Sequence, residues 1–167
     1  MTELPRRIVV FDVDGVIADV RHRLHHVERK PKNWPAFFAA MDDDGPLPEG
    51  VAMAQRYADE GHRIAYLTGR NESYRELTLA WLRRHGLPDG RLVMRRNDDR
   101  RPARVFKPQA LSRLAREGEI VVVVDDDRAV VDVLRHEGWP VLLADWMHAD
   151  EDQQGSLFDA QEVEGRS

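Results

Sequence analysis

The chain has 167 residues, 42% apolar content, no cysteine and a formal net charge of −5, which suits one domain with a real core and leaves no room for a second catalytic domain. Without cysteine there are no disulfides, thiolate metal sites or cysteine nucleophiles, so any metal must be held by oxygen or imidazole. No run of about eighteen apolar residues and no apolar leader occurs, so a soluble, cytoplasmic protein without a membrane role is expected.

Taken in chain order, the first apolar run is "RIVVF" at 7–11, a strand that leads into "DVDG". Residues 16–50 fit neither the helical nor the strand period and read as a flap with at most a short helix. Further strands are expected at 63–67, 91–94, 120–124 and 140–143, separated by helical patterns at 51–60, 72–85, 108–117 and 128–137. Asn71 suits a helix cap, Gly86 a helix end, and Pro108 a first helical position, with Lys107 just ahead of it. Alternating strands and helices imply an α/β fold, doubly wound as a three-layer sandwich around a mainly parallel five-stranded sheet, with a small cap or none. Residues 1–145 form the expected domain. Residues 146–167 read as an acidic, loosely held tail.

Charge is unevenly placed. Residues 145–167 carry seven acidic groups against one arginine, which leaves residues 1–144 slightly basic. Within that body, "RLVMRRNDDRRPARVFK" packs six arginines and a lysine into seventeen residues. Arg95, Arg96, Arg100 and Arg101 in this stretch are candidates for an anion-binding surface rather than a merely solvated loop.

The segment "IVVVVDDD" poses the chemical question, because a fully buried strand runs straight into Asp125, Asp126 and Asp127. Adjacent carboxylates repel, and burial worsens this unless a cation or donors neutralise them. Asp127 suits the cap of the helix that follows, and Asp125 and Asp126 remain to be explained. The first strand ends alike, in Asp12 and Asp14, and a parallel sheet brings both ends to one edge. "YLTGR" adds Thr68, Gly69 and Arg70 there, and Lys107 can face the same edge. His22, His25 and His26 lack a carboxylate pattern of known ligand spacing and read as flap residues or substrate contacts.

In order, "DVDG", "LTGR", a lysine before a helix and "VVDDD" resemble the four motifs of the haloacid dehalogenase superfamily, over residues 6–145. Val16 departs from the threonine that many members carry there. The resemblance implies a phosphatase in which Asp12 attacks phosphorus to form an aspartyl-phosphate, while Asp14 protonates the leaving oxygen and activates water. It also implies Mg²⁺ held by Asp12, the Asp14 backbone and Asp125 or Asp126, and phosphoryl oxygens held by Thr68 and Lys107. Asp126 is favoured for direct metal contact and Asp125 for orienting Lys107. Within the superfamily the sequence is most similar to the 3′-phosphatase domain of phage-type polynucleotide kinase/phosphatases, without a kinase P-loop. That implies a phosphorylated nucleotide or polynucleotide as substrate and a role in DNA or RNA repair. Gly69, Arg70 and the four arginines at 95, 96, 100 and 101 would contact it. A phosphatase of free nucleotides and a non-catalytic phosphate-binding module are the alternatives. In the tail, Gln154 to Phe158 ("QGSLF") resembles the short peptide that docks on bacterial sliding clamps, an expected partner.

Overall fold

A computed structural model describes residues 6–147. The Gln154 to Phe158 peptide lies outside the described residues. The elements run β1 (Arg7–Phe11), β2 (Ala18–Asp19), α1 (His25–Glu28), α2 (Trp34–Ala39), β3 (Gly45–Pro46), α3 (Pro48–Asp59), β4 (Arg63–Asn71), α4 (Arg75–Arg84), β5 (Gly90–Arg95), α5 (Ala103–Leu114), β6 (Glu119–Asp125), α6 (Arg128–His136) and β7 (Val141–Leu143). The main sheet has the order β5-β4-β1-β6-β7, and every neighbouring pair in it is parallel.

Period-two alternation sorts the core onto two faces. Val9, Phe11, Ile64 and Tyr66 pack with Ala54 of α3 and with Trp81 and Leu82 of α4. Ile8, Val10, Ala65 and Leu67 pack with Phe106 and Leu111 of α5 and with Val130 and Leu134 of α6. The result is the three-layer sandwich. From β1 the chain steps outward through β4 to β5, then returns to place β6 on the other side of β1. The carboxyl ends of β1 and β6 therefore flank the point where strand order reverses, the usual crevice for ligands in such sheets.

Two expectations are revised. The helix expected to begin at Pro108 starts at Ala103, with Pro102 before it, so Pro108 lies inside α5. Interior proline is disfavoured because it removes a backbone donor, but Pro108 is buried, and Ser112 Oγ donates to its carbonyl at 3.1 Å. Lys107 is therefore carried by a helical turn rather than by a loop. Residues 16–50 are more than a flap: β2 and β3 pair antiparallel, and Leu24, Val27, Trp34, Phe37, Phe38, Met41 and Leu47 bury a small core of their own. Met147 packs in that cap core, and Trp146 Nε1 donates to the Val16 carbonyl at 2.9 Å. No helix among the described residues is long and apolar enough to cross a membrane.

Candidate active site

The site begins where β1 stops. The Asp12 N–H donates to the Val124 carbonyl at 2.9 Å, locking the end of β1 to β6. The Asp12 carboxylate turns back to accept the Val13 N–H at 2.8 Å. Gly15 has φ 79°, and a Cβ there would lie 1.9 Å from Asp126 Oδ2. Only glycine lets the β1 turn and the β6 carboxylate approach this closely.

Asp12, Asp125 and Asp126 are all buried and can offer carboxylate oxygens within 4.8 Å of one another. Lys107 closes one side of the group. Its Nζ lies 2.7 Å from Asp125 Oδ2 and 3.2 Å from Asp12 Oδ1. Burial alone would lower the Lys107 ammonium, but the Asp12 and Asp125 charges overturn that and hold it above its ordinary range. Asp125 is further fixed by the Asp127 N–H, which donates to its Oδ1 at 3.0 Å. Neither oxygen of Asp126 has a hydrogen-bond partner although both are buried. Burial, then the charges of Asp12 and Asp125, push the Asp126 carboxyl well above its usual range. Burial, only partly offset by Lys107, raises Asp12 to about 7. Buried carboxyls with idle lone pairs need a cation, and an all-oxygen donor set of this size fits a hard divalent ion.

Asp14 faces the other way, into the cap. Its Oδ1 accepts from Arg70 Nη2 at 2.6 Å, Arg70 Nε at 3.1 Å and Arg23 Nη2 at 3.1 Å, while its Oδ2 is buried without a partner. Burial pushes Asp14 up, but the two arginines outweigh it and leave the carboxyl below its ordinary value. Both arginines are shared with Asp44, which accepts from Arg23 Nε at 2.8 Å, from Arg23 Nη2 at 2.9 Å and from Arg70 Nη2 at 3.2 Å. His22 Nε2 lies 2.6 Å from Asp44 Oδ1, and Trp81 Nε1 donates to the Asp44 carbonyl at 2.9 Å. Arg70 is thus a buried support of Asp14 as placed here, not an open loop residue. Arg23 and Asp44 escaped the sequence reading. Their only signal was a charged residue set among Val20, Leu24 and Val27, and a second aspartate run at 42–44.

Thr68 is fully buried in the end of β4, and its Oγ1 accepts the Arg70 N–H at 3.1 Å. The four arginines at 95, 96, 100 and 101 part company. Arg95 is buried and donates through Nε to the Gly69 carbonyl at 3.1 Å. Arg101 is clasped by Asp99 at 2.6 Å, and exposed Arg96 pairs with Asp98 at 3.3 Å. Arg100 lines a cavity together with Gly69 and Arg95.

The model of the polynucleotide kinase PNKP phosphatase domain matches residues 6–145. No curated protein matches the sequence. Among solved structures, a chain of the Pnkp1/Rnl/Hen1 RNA repair complex superposes with a TM-score of 0.71 at 25% identity, covering 86% of this chain and 43% of that one. The class C acid phosphatase from Bacillus anthracis superposes at 0.67 with 17% identity over 95% and 73% of the two chains. A haloacid dehalogenase-like hydrolase from Streptococcus pneumoniae does so at 0.59 with 13% identity over 93% and 92%. This chain spans less than half the length of the repair-complex protein it matches. A sheet of this order with carboxylates at its reversal point, matched over nearly all of the described chain, makes this protein a phosphatase that belongs to the PNKP phosphatase-domain family.

Proposed function

We propose that the chain is a Mg²⁺-dependent phosphomonoesterase that removes the 3′-phosphate from polynucleotide ends through an aspartyl-phosphate on Asp12. The observation that carries this reading is Asp12 itself, set between the Lys107 ammonium and the two idle oxygens of Asp126. Asp12, Asp126 and the Asp14 backbone would hold the ion, with Asp125 positioning Lys107. When bound, Mg²⁺ offsets the charges of carboxylate and phosphate, which would otherwise keep nucleophile and substrate apart. The Val13 N–H and Lys107 fix the plane of the attacking carboxylate.

In the first step an Asp12 oxygen bonds to phosphorus as the bond to the sugar oxygen breaks, and that oxygen takes a proton from Asp14. In the second step Asp14 removes a proton from water, the water oxygen bonds to phosphorus, and the Asp12–phosphorus bond breaks to free phosphate and restore the carboxylate. Arg23 and Arg70 hold Asp14 as a carboxylate, the form that the second step needs. For the first step the arriving phosphate dianion, a like charge beside Asp14, raises its proton affinity. Lys107 and Thr68 suit the transferring oxygens.

The polynucleotide preference rests on the family's description and on the repair complex among the structural neighbours. The test is turnover of a 3′-phosphorylated oligonucleotide with Mg²⁺, beside free mononucleotides. Wild type is expected to release phosphate from the oligonucleotide, and Asp12→Asn to lose about three orders of magnitude or more in kcat with unchanged circular dichroism. Undiminished turnover by Asp12→Asn removes the mechanism. Turnover of mononucleotides alone assigns the site to free nucleotides.

A further inference from the structure

Beside the phosphate site lies a cavity of about 310 Å³ that this mechanism leaves unused. Gly69, the residue after Thr68, lines it together with Phe38, Tyr74, Asn97, Arg95, Arg100 and the acidic Asp99, among others. Arg95 is the feature that asks for an explanation. Only 2% exposed, it spends Nε on the Gly69 carbonyl and Nη1 on the Arg101 carbonyl, while its Nη2 is buried without a partner. The nearest counter-charge, Asp99, sits 4.0 Å away and is already engaged by Arg101 at 2.6 Å. Burial consequently depresses Arg95 to about 10. A buried guanidinium with an idle donor is expensive unless something else meets it. The Phe106 ring, 4.8 Å from the guanidinium carbon, holds it in place.

Arg100 adds a second cation to the cavity wall and has no ion-pair partner among the described residues. Arg101 and Arg96 differ, being paired with Asp99 and Asp98. In the same lining, the Phe38 and Tyr74 rings stand 5.5 Å apart, and a base can stack on such an aromatic wall. Two cations, an aromatic wall and amide groups beside the strand end that carries Thr68, with Asp99 already held by Arg101, describe a pocket for a nucleoside with a second anion.

We propose that Arg95 and Arg100 form a subsite for a second phosphate, the one on the 5′ side of the terminal nucleoside, so that the preferred substrate carries phosphate on both 3′ and 5′ oxygens of that nucleoside. This rests on the 3′-phosphatase reading and names the part of the substrate that sets its specificity. A nucleoside 3′-monophosphate leaves both arginines unanswered. A nucleoside 3′,5′-bisphosphate or a 3′-phosphorylated dinucleotide answers them, the first with a monoester and the second with a diester.

The test compares kcat/KM for a nucleoside 3′-monophosphate, the matching 3′,5′-bisphosphate and the 3′-phosphorylated dinucleotide, with Mg²⁺, in wild type and Arg100→Ala. The wild type is expected to prefer both larger substrates by about 10- to 100-fold, the range that charge-assisted hydrogen bonds supply, and added salt should shrink the preference. In Arg100→Ala the preference ratio should fall toward one, and Arg100→Lys should recover part of it. Preference for the bisphosphate alone restricts the subsite to a free phosphate end, and preference for the dinucleotide alone restricts it to a diester. Equal kcat/KM on all three substrates in wild type overturns the subsite while leaving the phosphatase intact, and so does an unchanged ratio in Arg100→Ala with native circular dichroism. Absence of 3′-dephosphorylation on every substrate overturns the underlying reading instead.

Discussion

At the scale of single residues, the cluster of buried carboxyls is at odds with itself. Asp12 is raised to about 7 and Asp126 is raised well above its ordinary value, each chiefly by burial. A carboxyl raised in the folded state contributes stability that is complete below its unfolded value and is lost as pH climbs through the folded one. For Asp12 that window runs from the ordinary value of 3.8 to about 7. Asp14 is shifted the opposite way, and its effect lies below the window. The metal-free protein is therefore predicted to melt lower at pH 8 than at pH 5, to recover with Mg²⁺, and to lose much of this slope in Asp12→Asn. Calorimetry of metal-stripped protein across that range checks it. A pH-independent melting temperature, identical in wild type and Asp12→Asn, would show that the carboxylates are not strained against one another.

At the scale of elements, strand ends and helix starts do the positioning. Asp127 accepts the Ala129 N–H at 2.9 Å and the Val130 N–H at 3.4 Å, capping α6 as its sequence position suggested. Asp127→Ala should cost about 1 kcal/mol, the usual loss for such a cap, read from a chemical denaturation midpoint at constant slope. These parts were legible because each depends on local pattern: β1 starts and stops as its apolar run does, and the carboxylates follow directly from the strand ends. Lys107 was legible as a residue and misjudged as a geometry. A proline reads as a helix start from propensity alone, whereas Pro108 is tolerated inside α5 through packing that only the tertiary structure supplies. Arg23 and Asp44 were illegible for a related reason. They meet across 21 positions of a segment without clear periodicity, and nothing local announces the pair.

At the scale of the whole molecule, function comes from convergence. The turn after β1 supplies Asp12 and Asp14, β4 supplies Thr68 and Arg70, α5 supplies Lys107, and the end of β6 with the residue after it supplies Asp125 and Asp126. The cap adds Arg23 and Asp44 from a core that is its own. Because both arginines bridge Asp14 to Asp44, the cap is bolted to the sheet by charge. The body thus presents Asp12 at the reversal point of the sheet and Asp14 against the cap. The most direct measurement of this account is acid quench of the enzyme during turnover of a 3′-phosphorylated oligonucleotide with Mg²⁺, followed by peptide mass spectrometry. One phosphoryl group on the peptide that contains Asp12, absent in Asp12→Asn, is the predicted result; a phosphoryl group on any other residue, or continued turnover in Asp12→Asn, would contradict it.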